Sequence, residues 1–123
     1  MVRWMLAAGA LVMALGVALG AVSAHAVHAA VHPNAPQILE AAVIYHFVHG
    51  LALVLEGVLA RSSMSRQLVA AYALHAAGIV FFCGSMWIIA MTGASQLAVL
   101  APVGGVAFIL GWIALAIHAL RNR

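Results

Sequence analysis

The sequence predicts an all-α protein, an integral membrane four-helix bundle with both termini cytoplasmic. Three observations lead there. The composition is 67% hydrophobic and 6% charged over 123 residues, with a mean hydropathy of +1.19, whereas a soluble domain carries about 25% charged residues. The apolar residues fall into four runs, about 4–22, 38–60, 67–91 and 98–120, each close to the ~20 residues that a helix needs to cross the hydrocarbon core. Finally, Arg3, Arg61, Arg66, Arg121 and Arg123 all fall on one side of a four-span arrangement. The positive-inside rule assigns that side to the cytoplasm. An odd number of spans would scatter them over both faces.

Residues 1–123 thus read as a single membrane domain with no stretch left for a soluble one. The net charge of +3 comes from arginines that set orientation, and it is not a nucleic-acid signature. Cys83 is the single cysteine, so it forms no internal disulfide and says nothing of redox compartment.

The first run follows Arg3. A cleaved secretory signal is the rival reading, with Val22-Ser23-Ala24 or Ala24-His25-Ala26 as the cleavage site. The run exceeds the usual ~7–15-residue apolar region of a signal, so a retained helix is expected. Gly16 and Gly20 give it a small-xxx-small face for close packing. Residues 23–37 then break the hydrophobicity, with Asn34, Pro33 and Pro36 marking an outward loop that carries His25, His28 and His32.

The second run is the one around which the others are expected to stand as walls, because it holds both acidic residues, Glu40 and Glu56, with His46 and His49. A charge near the centre of a membrane helix costs roughly 2.5–3.5 kcal/mol on insertion scales. Residues 61–66 form a short basic turn. The third run has Tyr72 and Trp87 as interface anchors and His75 between them. After the polar turn 92–96, Pro102 is expected to start the fourth helix, with Gly104, Gly105 and Gly111 allowing close approach, as Gly84 and Ser85 do in the third. Trp112 lies too deep for an interfacial belt and is expected inside the bundle.

Several residues are candidates for chemistry. At ~100° per residue His46, His49, Leu53 and Glu56 share one third of a helix. His49 lies near mid-span and Glu56 about 10 Å nearer the cytoplasm at ~1.5 Å per residue, and His75 falls at a depth between them. A His49–His75–Glu56 cluster suits a proton relay, a metal site or axial haem ligation. The plainer reading is a hydrogen-bonded knot that holds helices together. Glu40, in the first turn of its helix, fits a cap-like role. His25, His28 and His32 form the metal candidate by residue type, since imidazole suits copper or zinc. No nucleophile–base pair or phosphate-cradling loop is visible, so no enzyme is expected.

Four motifs in order add a resemblance. Gly20-Ala21-Val22-Ser23-Ala24-His25 is similar to a G-A-F-G-A-H pattern, and Glu40 followed by Tyr45-His46-Phe47-Val48-His49 resembles E-x4-Y-Q-x-x-H. Phe82-Cys83-Gly84-Ser85, with Ala90-Met91-Thr92-Gly93, resembles F-S-G-S…A-L-T-G. Ala101-Pro102-Val103-Gly104-Gly105 with Phe108, Gly111 and Trp112 resembles T-P-x-G-G-x-x-F-L-x-G-W. These patterns are those of the domain-of-unknown-function 423 family of small bacterial membrane proteins, with transmembrane protein 256 as an animal relative. The resemblance implies four membrane helices in the bacterial inner membrane and points to His25, Glu40, Tyr45 and His49 as family-type polar positions. It implies no established activity. His46 stands where the pattern has Gln, and Ser23 and Cys83 replace Gly and Ser. His28, His32, His75 and Glu56 lie outside the motifs, which favours His25 with Glu40 and His49 as the shared site.

The expected function is a small multi-pass, non-enzymatic accessory or scaffold subunit, in contact with lipid and with copies of itself or a larger membrane complex. A copper-, zinc- or haem-binding protein using the outer histidines is the first alternative. An oligomeric transporter or proton-conducting unit is the second.

Overall fold

In a computed structural model, which describes residues 1–121, every apolar run is helical. In hydrocarbon, water cannot satisfy a bare N–H or C=O, so such a run must close its own hydrogen bonds. Helix α1 spans Val2–Ala26 and ends in a 3-10 turn, Val27–Ala29; α2 spans Ala35–Leu59. The third rod is α3 (Arg66–Gly78), a π-helical segment (Ile79–Gly84) and α4 (Ser85–Thr92) in continuous succession. A 3-10 turn, Ser95–Val99, leads into α5, Leu100–Arg121. Four rods are long and apolar enough to cross a membrane.

The ends of the rods have local causes. Pro36 occupies the first turn of α2, where its missing N–H has no intrahelical acceptor anyway. The proline expected to mark a loop therefore opens the helix, which starts at Ala35 rather than at 38 and leaves Glu40 beyond the first turn. Its cap-like role is withdrawn for that reason. Ser65 accepts the Leu68 N–H on its side-chain oxygen and caps α3. Gly93 closes α4 at φ +71° and donates to the Ile89 carbonyl at 2.8 Å, a left-handed stop that glycine adopts without steric cost. The next orphaned carbonyl, that of Ala90, takes the N–H groups of Val31 and His32 at 3.2 and 3.1 Å, so the loop between α1 and α2 is tied to the end of the third rod. Pro102 lies just inside α5, which begins two residues earlier at Leu100.

Two close pairs build the bundle. Along α1 and α2, a Cβ on Gly9 would stand 2.9 Å from the Val54 nitrogen, and one on Gly57 would stand 2.8 Å from the Leu6 backbone. Along the third rod and α5, a Cβ on Gly104 would run into the Phe82 backbone, and one on Gly78 into the Phe108 ring. α2 then packs against the third rod. Both of these inner rods bury 39% of their apolar window, against 17% for α1 and α5. The centre is thus shared by two helices, instead of one helix walled by three.

Small residues carry the seams, but not all those expected. Gly16, Gly104 and Gly111 sit at close contacts, Gly20 at ordinary distance, and a Cβ on Gly105 would stand 4.0 Å from one Phe82 ring carbon. A Cβ on Gly84 would meet nothing within 4 Å, so open space lies beside it among the described residues. Ser85 is buried but bonds to its own rod, at the Phe82 carbonyl. Arg3 and Arg61 line one groove at one end of the bundle. There Ser65 also bonds to His118 of α5 at 2.7 Å. Arg66 and Arg121 begin and end helices at the same end; Arg123 lies outside the described residues.

Candidate functional site

The polar residues of α2 divide between two neighbours. His46 turns to α1 and donates its Nε2–H to the Val12 carbonyl at 2.7 Å. Gly16 makes room for it, since a Cβ there would stand 2.7 Å from His46 Cδ2. Tyr72 of α3 forms a second clamp on α1 by donating its hydroxyl to the Met5 carbonyl at 2.8 Å, so it ties the two helices together.

His49, Glu56 and His75 turn the other way and meet between α2, α3 and α5. Glu56 Oε1 and His75 Nδ1 are 2.8 Å apart with both side chains wholly buried. A lone charge there would carry a desolvation penalty of several kcal/mol, which a partner at hydrogen-bonding distance offsets in part. Among the described residues Glu56 Oε2 and His75 Nε2 have no hydrogen-bond partner. Gly111 of α5 sits directly against the imidazole: a Cβ would stand 2.6 Å from His75 Cδ2 and Nε2.

The protonation of His49 is set by its neighbours. The Trp112 indole, which is only a donor, gives its N–H to His49 Nε2 at 3.1 Å. The proton is therefore on Nδ1, which donates to the Tyr45 carbonyl at 2.8 Å. His49 is a neutral imidazole with both nitrogens engaged. Its ring stacks on Phe108 with centroids 3.5 Å apart and lies 5.5 Å from the His75 ring. The rings of Tyr45, Phe82, Phe108 and Trp112 enclose it and leave a groove of roughly 410 Å³ on the outer side. Trp112 is 40% exposed: its polar edge points inward and the rest of the indole outward, so it is only half inside the bundle.

The cluster of His49, His75 and Glu56 is thus assembled, while the grouping of His25 and Glu40 with His49 is not. His25 and Glu40 are both exposed near the end of the bundle opposite Arg3 and Arg61, and His49 lies nine residues deeper than Glu40, about 13 Å along the helix. His25, on the last turn of α1, and His28, on the 3-10 turn, are exposed as well. His32 accepts the Asn34 N–H on Nδ1. Among the described residues no three His, Cys, Asp or Glu side chains stand close enough together to hold a metal ion. Sequence reasoning missed Phe82 and Phe108 as walls of the cluster and Trp112 as the donor to His49. The i,i+4 spacing of Phe108 and Trp112, with Gly104 and Gly111 beside them, was the available signal.

Comparison with known proteins places this arrangement. The model of the family described as "Protein of unknown function (DUF423)" matches residues 19–105. The chain belongs to this family. A UPF0382 membrane protein of Staphylococcus aureus is 35% identical over 113 residues, 92% of each chain. The UPF0382 membrane protein YwdK of Bacillus subtilis is 37% identical over 114 residues, 92% of this chain and 93% of its own. No solved structure matches. A multi-pass membrane protein of the DUF423 family is therefore the identity that sequence, fold and relatives support together.

Proposed function

We propose that the protein is a non-enzymatic accessory or scaffold subunit of a membrane assembly that works without a bound metal or haem. The observation that carries this reading is how its polar side chains are used: His46, His49, Tyr72 and the Glu56–His75 pair each join two helices of the chain. The outer faces of α1 and α5 meanwhile stay apolar and open, to lipid, to a second copy or to a larger complex. A metal on His49 Nε2 would have to displace the Trp112 N–H. Both termini and the 61–66 turn face the cytoplasm in this reading, by the arginine rule.

Two measurements test it. Membranes solubilised in mild detergent at native expression level should show the 12.7 kDa chain in a species several times its mass; a monomer throughout would count against a subunit. Purified without chelator, the protein should be colourless and metal-free. Near-stoichiometric copper, zinc or haem that His25→Ala or His49→Ala removes would overturn the cofactor-free reading. A reporter fused to the C-terminus checks the topology: green fluorescent protein should fluoresce there and alkaline phosphatase should stay inactive.

One observation favours a second reading. Glu56 Oε2 and His75 Nε2 are buried without partners among the described residues, as expected of groups that exchange a proton instead of only holding helices together. Proton flux in liposomes that Glu56→Gln abolishes would favour that reading over the scaffold.

A further inference from the structure

The arginines gather at one end of the bundle, and two of them flank a groove. Arg3 comes from the first turn of α1 and Arg61 from the turn just past α2, and both are exposed. The groove, about 560 Å³ in volume, is otherwise lined by Val2, Leu6, Ala7 and Ala10 of α1. From Val2 to Ala10 is about 12 Å along a helix at ~1.5 Å per residue, so its apolar floor runs from the membrane surface into hydrocarbon. Trp4 marks the level of the mouth. Its indole is 68% exposed, a side chain that settles in the head-group layer. The Arg3 guanidinium lies 5.6 Å from the centre of that ring.

Neither guanidinium is neutralised by the fold. The chain has two acidic residues, and among the described residues the one ion pair is that of Glu56 with His75. Glu56 is fully buried, and Glu40 is exposed near the other end of the bundle. The arginine rule inserts every copy the same way round. A second copy would therefore set arginine against arginine here and bring no acidic side chain to this level. A soluble anion would answer the charge and leave the apolar floor bare. A lipid answers both, because a guanidinium fork matches two phosphate oxygens while an acyl chain covers the floor. We propose that the groove binds one phospholipid of net negative charge, its phosphodiester between Arg3 and Arg61 and one acyl chain along Leu6, Ala7 and Ala10. Basic pockets between membrane helices take anionic head groups by the same chemistry. The site is separate from the helix ties and does not rest on the subunit reading.

The test is native mass spectrometry of the full chain, stripped of lipid in mild detergent and titrated with phosphatidylglycerol or phosphatidylcholine. One phosphatidylglycerol should bind saturably, about tenfold more tightly than phosphatidylcholine, whose choline cancels the phosphate charge. Arg3→Gln and Arg61→Gln should each weaken it about tenfold, the loss of a charge-assisted contact. Arg66 lines a different groove at the same end, so Arg66→Gln removes an equal charge and should change the affinity little. Ala7→Leu fills the exposed floor with another good helix former. It should weaken phosphatidylglycerol binding while the circular dichroism stays that of the parent. Equal weakening by Arg66→Gln would show diffuse attraction to an anionic surface and overturn the proposal. So would equal affinity for phosphatidylcholine, an unchanged affinity in Ala7→Leu, or complete displacement of the lipid by inorganic phosphate, the mark of a soluble-anion site.

Discussion

The Glu56–His75 pair permits a decisive stability experiment. Replacing His75 by Leu leaves the Glu56 carboxyl fully buried with neither oxygen paired, and losing one member of a buried pair typically costs about 3–5 kcal/mol. Replacing Glu56 by Leu leaves a neutral imidazole with neither nitrogen paired, since His75 Nε2 is already without a partner; that costs about 1–3 kcal/mol. Independent effects would therefore sum to about 4–8 kcal/mol. The double variant removes both desolvated groups together, and an apolar replacement of similar volume usually costs no more than about 1.5 kcal/mol. The coupling energy should thus be about 2.5–8 kcal/mol, with the double variant close to wild type. Equilibrium unfolding by SDS titration in mixed micelles, followed by circular dichroism, measures all four corners of the cycle. A double variant as unstable as the sum of the singles would refute the reasoning, because each group would then have its own supporting contacts.

Other consequences follow from the same contacts. Gly111→Ala, whose Cβ would press on His75 at 2.6 Å, should destabilise by about 1–3 kcal/mol. Gly84→Ala, with no neighbour within 4 Å, should be neutral or up to about 1 kcal/mol more stable by helix propensity; the same titration separates them. His46→Gln should keep the donor to Val12 and lose little stability. His46→Ala should cost about 1–3 kcal/mol by stranding a core position of the α1–α2 seam. Trp112→Phe should free His49 Nε2, seen as a changed imidazole tautomer signal in nitrogen-15 NMR; an unchanged signal would mean that Trp112 does not set the tautomer.

Much of the fold was legible because lipid permits few solutions. Four apolar runs and the segregated arginines are local properties, and a run that must satisfy its own backbone in hydrocarbon has only the helix available. Ser65 and Gly93 set ends at positions that turn chemistry marks. Pro36 was misread because the same residue serves a loop or a first helical turn, and only the Asn34–Ala35 backbone decides which. The π-helical segment at Ile79–Gly84 left no readable signal, because its residues are as apolar as any α-helical ones. It places Phe82 against Gly104 and at the groove.

The candidate site divides in the same way. Periodicity along α2 alone put His46, His49 and Glu56 within one third of its circumference, and depth counting put His75 within reach of the last two. Which face meets which helix is a non-local matter. The glycines of α1 and α5 decided it by letting His46 close on Val12 while Gly111 admitted the His75 ring beside Glu56. The sequence by itself determined the number of spans and the depth of each polar group, since both follow from position along one chain. Only the tertiary structure decided the partners, because a hydrogen bond between helices depends on two rotations and a crossing that no single run encodes.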